Sequence, residues 1–109
     1  MSDDYVIKPR KASDLYPILT FQLFDSGKIV VTPSVQAHLD REGVSPDPYV
    51  ERHTHGDWGD VSAKDAEMNL LAVLLAGRPF SSYLIAGKRV WVITELDCTF
   101  TTLMSPEEY

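Results

Sequence analysis

Four consecutive residues, Val90-Trp91-Val92-Ile93, constrain this chain more than any others. β-Branched and aromatic side chains favour a pleated backbone, and alternate residues of a strand point to opposite faces. Trp91 and Ile93 therefore share one face, Val90 and Val92 the other. A strand apolar on both faces belongs in the middle of a sheet. Here helices are expected on one side, and an N-terminal hairpin or a second copy on the other. Ser81 to Ile85 precedes this strand across Ala86-Gly87-Lys88, and Cys98 to Met104 follows it across Leu96-Asp97. Connections so short join antiparallel neighbours, which predicts a β-meander over the C-terminal third.

The rest of the chain is punctuated by proline and glycine. Residues 1–13 are polar and mixed in charge, and are expected to form a flexible arm. Residues 14–109 are enough for one domain with one core. Leu19 to Phe24 alternates apolar and polar residues, Asp25-Ser26-Gly27 carries turn chemistry, and Lys28 to Val31 is β-rich, together predicting a hairpin. Thr32-Pro33 then opens a helix that Gly43 stops, with Val35 and Leu39 inward and His38 at the surface or its boundary. Ser45-Pro46 repeats the signal for a short helix reaching about His53, with Tyr49 and Val50 inward. Ser62-x-x-Asp65 caps a third helix from Ala63 to Ala76, with Ala66, Leu70, Val73 and Leu74 at core spacing and Gly77 beyond it. The expected fold is α+β: a mainly antiparallel sheet of three to five strands, from the meander and the hairpin, with two to three helices packed on one face.

The end of the third helix, Leu70 to Ala76, is apolar all round. So small a domain covers only part of that circumference, so a partner contact or a homodimer through Leu71 and Leu75 is expected there.

Charge narrows the function. The net charge is −6, and the segment from Asp40 to Glu67 holds eight acids against three bases. Nucleic-acid binding draws on a basic face, so direct contact with nucleic acid is not expected. An acidic face suits a basic protein surface, including one that normally holds nucleic acid. No apolar run reaches the ~18–20 residues of a membrane span, and no secretory leader pattern opens the chain. The single cysteine, Cys98, suits a reducing cytoplasm.

Glu51 to Asp65 is the densest cluster of chemically able side chains. His53-x-His55-x-Asp57 places two imidazoles and a carboxylate at alternate positions, a weak metal candidate that matches no established ligand spacing. His53 or His55 with Asp57 or Asp60 would also serve as an acid–base pair for a small hydrolase. No nucleophile accompanies them, since the serines sit in caps and turns and Cys98 opens a strand. Gly56-x-x-Gly59 is too short and too acidic to cradle a phosphate, and no cofactor is expected. Structurally, the glycines permit a bend, Trp58 anchors helix to sheet, and the aspartates bind turn amides.

Arg52-His53-x-x-Gly56-Asp57-Trp58-Gly59-Asp60, Ser82-Tyr83, Val90-Trp91-Val92-Ile93-Thr94-Glu95-x-Asp97 and Thr101-Thr102-Leu103-x-x-Pro106-Glu107-Glu108-Tyr109 resemble a family of small bacterial proteins described as plasmid-related. The likeness covers roughly residues 20 to 109, and the apolar helix end departs from it. The resemblance implies an accessory protein of mobile genetic elements. Taken with the acidity, it predicts a non-enzymatic inhibitor of a host defence complex, of anti-CRISPR or anti-restriction type. Asp47, Glu51, Asp57, Trp58, Asp60, Asp65 and Glu67 are its expected contact residues. The alternatives are the hydrolase above and a dimeric structural accessory protein.

Overall fold

The structure, a computed structural model, describes residues 21–109. In chain order it contains β1 (Lys28–Val31), α1 (Pro33–Glu42), α2 (Asp47–Thr54), α3 (Ala63–Leu74), β2 (Phe80–Ile85), β3 (Lys88–Thr94) and β4 (Phe100–Met104). Short 3-10 turns follow β3 at Leu96–Cys98 and β4 at Pro106–Glu108. The sheet order is β1-β4-β3-β2, so the fold is α+β with a four-stranded, mostly antiparallel sheet and helices on one side. The meander forms as expected, except that its last strand begins at Phe100; Cys98, expected to open that strand, lies in the preceding 3-10 turn with φ of 55°. β2 and β3 meet at a two-residue turn, Ala86-Gly87, with φ of 47° and 84°, the paired positive values of a type I′ hairpin.

The N-terminal hairpin does not form. β1 pairs instead with β4, in parallel, from Lys28↔Phe100 to Val31↔Leu103. Residues 21–24, the described part of the expected first strand, are not a strand. The Leu23 N–H goes to the Thr54 carbonyl at the end of α2 (2.7 Å), and Leu23 and Phe24 pack against Trp58. Gly27 explains why the turn signal misled. A Cβ there would lie 2.4 Å from the carbonyl oxygens of Cys98 and Thr99. The glycine lets two chain segments touch where β1 enters the sheet; it does not reverse the chain. The expected arm at 1–13 lies outside the described residues.

One face of the sheet carries the main core. Val35 and Leu39 of α1 and Val50 of α2 close over Tyr83, Ile85, Val90, Val92 and Leu103. Each large apolar side chain so buried contributes ~1.5–3 kcal/mol. His38 belongs to this interior and not to the surface: it is buried, Nε2–H donating to the Ile85 carbonyl (2.8 Å) and Nδ1 accepting from Arg41 (3.3 Å). Thr32 holds the N-cap position of α1, but its hydroxyl donates to Glu108 (2.9 Å) and leaves the helix amides alone. The Glu108 carboxylate also accepts from the Ser105 N–H (2.7 Å) and the Ser34 hydroxyl (3.0 Å), tying the 106–108 turn back to α1.

A second cluster forms around Trp58, Val61 and Ala66, with Leu23, Phe24, Val73 and Phe80 against it. This is the seat of α3. Ser62 caps the helix as expected, its hydroxyl accepting from the Asp65 N–H (3.0 Å). The inward face is the expected one in part. Ala66, Asn69 and Val73 point to the core, while Leu70 and Leu74 turn outward. Asn69 sets the rotation: its amide donates to the Phe80 carbonyl (2.7 Å) and accepts from the Phe80 N–H (3.0 Å). Two bonds to one strand residue outweigh a leucine's preference for burial, because an unpaired buried strand amide and carbonyl are each costly.

Candidate functional site

The stretch from Arg52 to Asp60 joins the end of α2 to the edge of β2. Gly59 bridges Ser82 in parallel; the Ser82 N–H donates to the Trp58 carbonyl (3.0 Å) and the Asp60 N–H to the Ser82 carbonyl (2.7 Å). The two bonds lay the stretch along β2 as a short fifth edge and push Trp58 inward. Its ring is buried, stacked on Phe24 at 6.2 Å and edge-on to His53 at 5.7 Å.

Asp57 is buried as well. Its carboxylate accepts from Arg52 Nε (2.6 Å) and from the Gly59 N–H (3.2 Å), and its carbonyl accepts the Tyr83 hydroxyl (2.5 Å). The Arg52 guanidinium lies over the Tyr83 ring at 4.6 Å and beside Tyr49 at 5.7 Å. Burial works to lower the Arg52 pKa, but the hydrogen bond and charge of Asp57 outweigh it and the net shift is upward. Burial also pushes the Tyr83 hydroxyl up, so it stays protonated and donating. Asp57→Ala is expected to cost about 2 kcal/mol by urea denaturation, since it strips Arg52 of its charge partner and Gly59 of its acceptor. The cost stays below that of a fully buried pair because Arg52 remains partly in water.

His53 is fully buried. Nδ1 lies 2.6 Å from Ser81 Oγ, and Nε2 lies 2.9 Å from Thr94 Oγ1. Thr94 Oγ1 meets Thr101 Oγ1 at 2.6 Å, and Thr101 donates to the Ser26 carbonyl (2.7 Å). That last bond orders the whole line. Thr101 spends its proton on the carbonyl, so it accepts from Thr94. Thr94 then accepts from His53 Nε2–H, and Nδ1 accepts from Ser81. Burial lowers the His53 pKa from 6.5 to about 3, so the ring is neutral, as this order requires. Ser81 and His53 have the contact of a nucleophile and its base, yet both are shut away from solvent. The line joins β2, β3, β4 and α2 through the core.

The metal candidates do not converge. Both ring nitrogens of His53 are engaged, Asp57 is held by Arg52, and His55 donates Nδ1–H to the Glu51 carbonyl (2.7 Å). Among the described residues no three His, Cys, Asp or Glu side chains are placed to hold a metal ion. The expected contact residues divide into two sets. Asp57 and Trp58 lie behind the surface; Asp47, Glu51, Asp60, Asp65 and Glu67 are on it. Asp60 pairs with Arg89 at 2.9 Å. Among the described residues no cation pairs with Asp47, Glu51, Asp65 or Glu67.

Sequence reasoning missed Asn69, Ser81, Thr94 and Thr101. A signal existed for the last three: they fall on the strand face that otherwise carries Tyr83, Ile85, Val90, Val92 and Leu103. Polar residues in register on a buried face require a buried partner. Comparison with family models, with characterised proteins and with solved structures returned no match to this chain.

Proposed function

We propose that this protein is a non-enzymatic accessory protein of mobile genetic elements. It acts in the cytoplasm as an anti-CRISPR or anti-restriction inhibitor, binding a host defence complex on a basic surface and blocking nucleic-acid binding there. The outer face of α3 is the observation that carries the reading. Leu71 is 48 % exposed, Met68 51 %, and Leu74 and Leu75 both 77 %. At 3.6 residues per turn Met68, Leu71 and Leu75 fall roughly opposite Ala66, Asn69 and Val73, which face the core. A contiguous row of exposed apolar side chains on the outward side of a helix is the usual mark of an interaction surface. The first turns of the same helix carry Asp65 and Glu67, and α2 carries Asp47 and Glu51 one turn apart. An apolar stripe beside acids that form no ion pair among the described residues suits a surface that docks on a basic partner. The histidines and Asp57, which suggested chemistry, are engaged in internal bonds instead. No helix among the described residues is long and apolar enough to cross a membrane.

The test measures DNA binding by purified defence nuclease complexes with and without this protein. Asp65→Lys with Glu67→Lys is expected to abolish inhibition, and Leu71→Lys with Leu75→Lys to do the same while leaving the fold intact. Undiminished inhibition by the charge-reversal variant would sink the electrostatic reading. Sedimentation of the wild type as a dimer that Leu71→Lys dissociates would assign the stripe to self-association.

A further inference from the structure

The opposite face of the sheet holds a cleft separate from the outer face of α3. Trp91 and Ile93 point away from the helix-covered core and form part of its lining. Phe80, opposite Ile93 on β2, lies edge-on to Trp91 at 5.0 Å and 82°. Tyr109, carried back by the 106–108 turn, approaches Trp91 at 5.7 Å and 68°. Arg78 completes the lining, its Nη2 held by Glu95 at 2.9 Å. The cleft has about 310 Å³. That is the lower end of small-molecule sites, which are mostly apolar with a few placed polar groups.

Two features of the cleft define its ligand. Three rings, two of them steeply inclined to Trp91, offer faces and edges for a flat ring of one or two cycles. Trp91 is partly buried on a strand that lies between β4 and β2, with part of its ring left open to the cleft. At the rim, Arg78 gives one N–H to Glu95 and also hydrogen-bonds the Tyr109 side chain; its remaining N–H groups can meet a planar anion. A carboxylate matches the guanidinium edge and carries one charge. A phosphate dianion fits worse beside Glu95 in a chain of net charge −6. We infer that Arg78, Phe80, Trp91, Ile93 and Tyr109 form a binding site for a small aromatic carboxylate, with the ring against Trp91 and the carboxylate on Arg78.

Indole-3-carboxylate is the probe, titrated into uniformly ¹⁵N-labelled full-length protein. The Trp91 indole N–H is expected to shift saturably while that of buried Trp58 stays put. Arg78→Gln, a surface change that spares the fold, is expected to weaken binding at least about tenfold, the loss of one charge-assisted bond. Indole-3-carboxamide should bind the wild type more weakly than the carboxylate, and equally to both proteins. Absence of a saturable Trp91 shift would overturn the site. Equal binding of carboxylate and carboxamide, or equal carboxylate binding by Arg78→Gln, would overturn the role of Arg78. Tighter binding of tryptamine would show the rings acting as a cage for cations, against the inference.

Discussion

Gly59→Ala is expected to destabilise the protein by at least about 3 kcal/mol, a large share of the ~5–15 kcal/mol that holds a domain folded. Gly59 has φ of 72°, and a Cβ there would lie 2.2 Å from the Ser82 carbonyl oxygen and 2.7 Å from Tyr83 Cδ1. Neither neighbour can give way cheaply. The Ser82 carbonyl accepts from Asp60, and Tyr83 is buried with its hydroxyl on Asp57. Relieving the clash would lift the stretch off β2 and with it Trp58, the centre of the second cluster. Gly43→Ala is the control. Gly43 has a similar φ of 68° but nothing within 4 Å of its missing Cβ, so only the backbone cost of ~1–2 kcal/mol applies. Urea midpoints for the two variants separate conformational strain from close approach; equal midpoints would mean that the contact with Ser82 does not matter.

The second large effect is on acid stability. The folded His53 pKa is about 3, and the unfolded value is 6.5. Below 6.5 the unfolded chain takes up a proton that the folded protein refuses. Stability from this residue is therefore complete above pH 6.5 and falls with pH down to about 3, at ~1.4 kcal/mol per pH unit. Two units below 6.5 the loss is about 2.7 kcal/mol, seen as a falling urea midpoint. Protonation at Nδ1 would also remove the acceptor for Ser81 and oppose the order of the Ser81-His53-Thr94-Thr101 line. His53→Gln keeps hydrogen-bonding atoms but cannot titrate. The variant should be less stable than wild type at pH 7 and lose most of the slope between pH 6.5 and 4.5. A slope unchanged in that variant would move the acid sensitivity to other groups. Below pH 4.5 Glu108 adds to the loss. The Ser105 N–H first, then the Thr32 and Ser34 hydroxyls, hold its pKa below the ordinary value, and protonation releases the 106–108 turn.

These effects reverse the first reading of the Glu51–Asp65 stretch. Its residues suggested a metal site or an acid–base pair because they are close in sequence. In the structure they point apart: His53 into the sheet, Asp57 back to Arg52, His55 to its own helix and Asp60 outward to Arg89. Local spacing could not show this for His53 and Asp60, whose partners Ser81, Thr94 and Arg89 lie 28, 41 and 29 residues away. The bend and the Ser62 cap were legible, since each depends on residues within a few positions of one another; the Trp58 anchor was legible from its large apolar ring set between glycines, while its partners Phe24 and Ser82 were not.

The same division runs through the whole protein. By itself the sequence determined the C-terminal meander, where the helices start, the stop of α1 at Gly43 and the α+β class, because strand period, short turns and caps are local physics; α3 ends at Leu74, two residues short of the expected Ala76. Tertiary structure decided three things. It gave β1 a parallel partner through the close approach at Gly27, a pairing between residues about 70 apart. Two hydrogen bonds from Asn69 to Phe80 turned α3 so that its leucines face water. The neutral His53 line was buried across three strands and a helix. In each case a buried polar or close-packed group had to be matched by a distant one, and only the folded chain brings such pairs together.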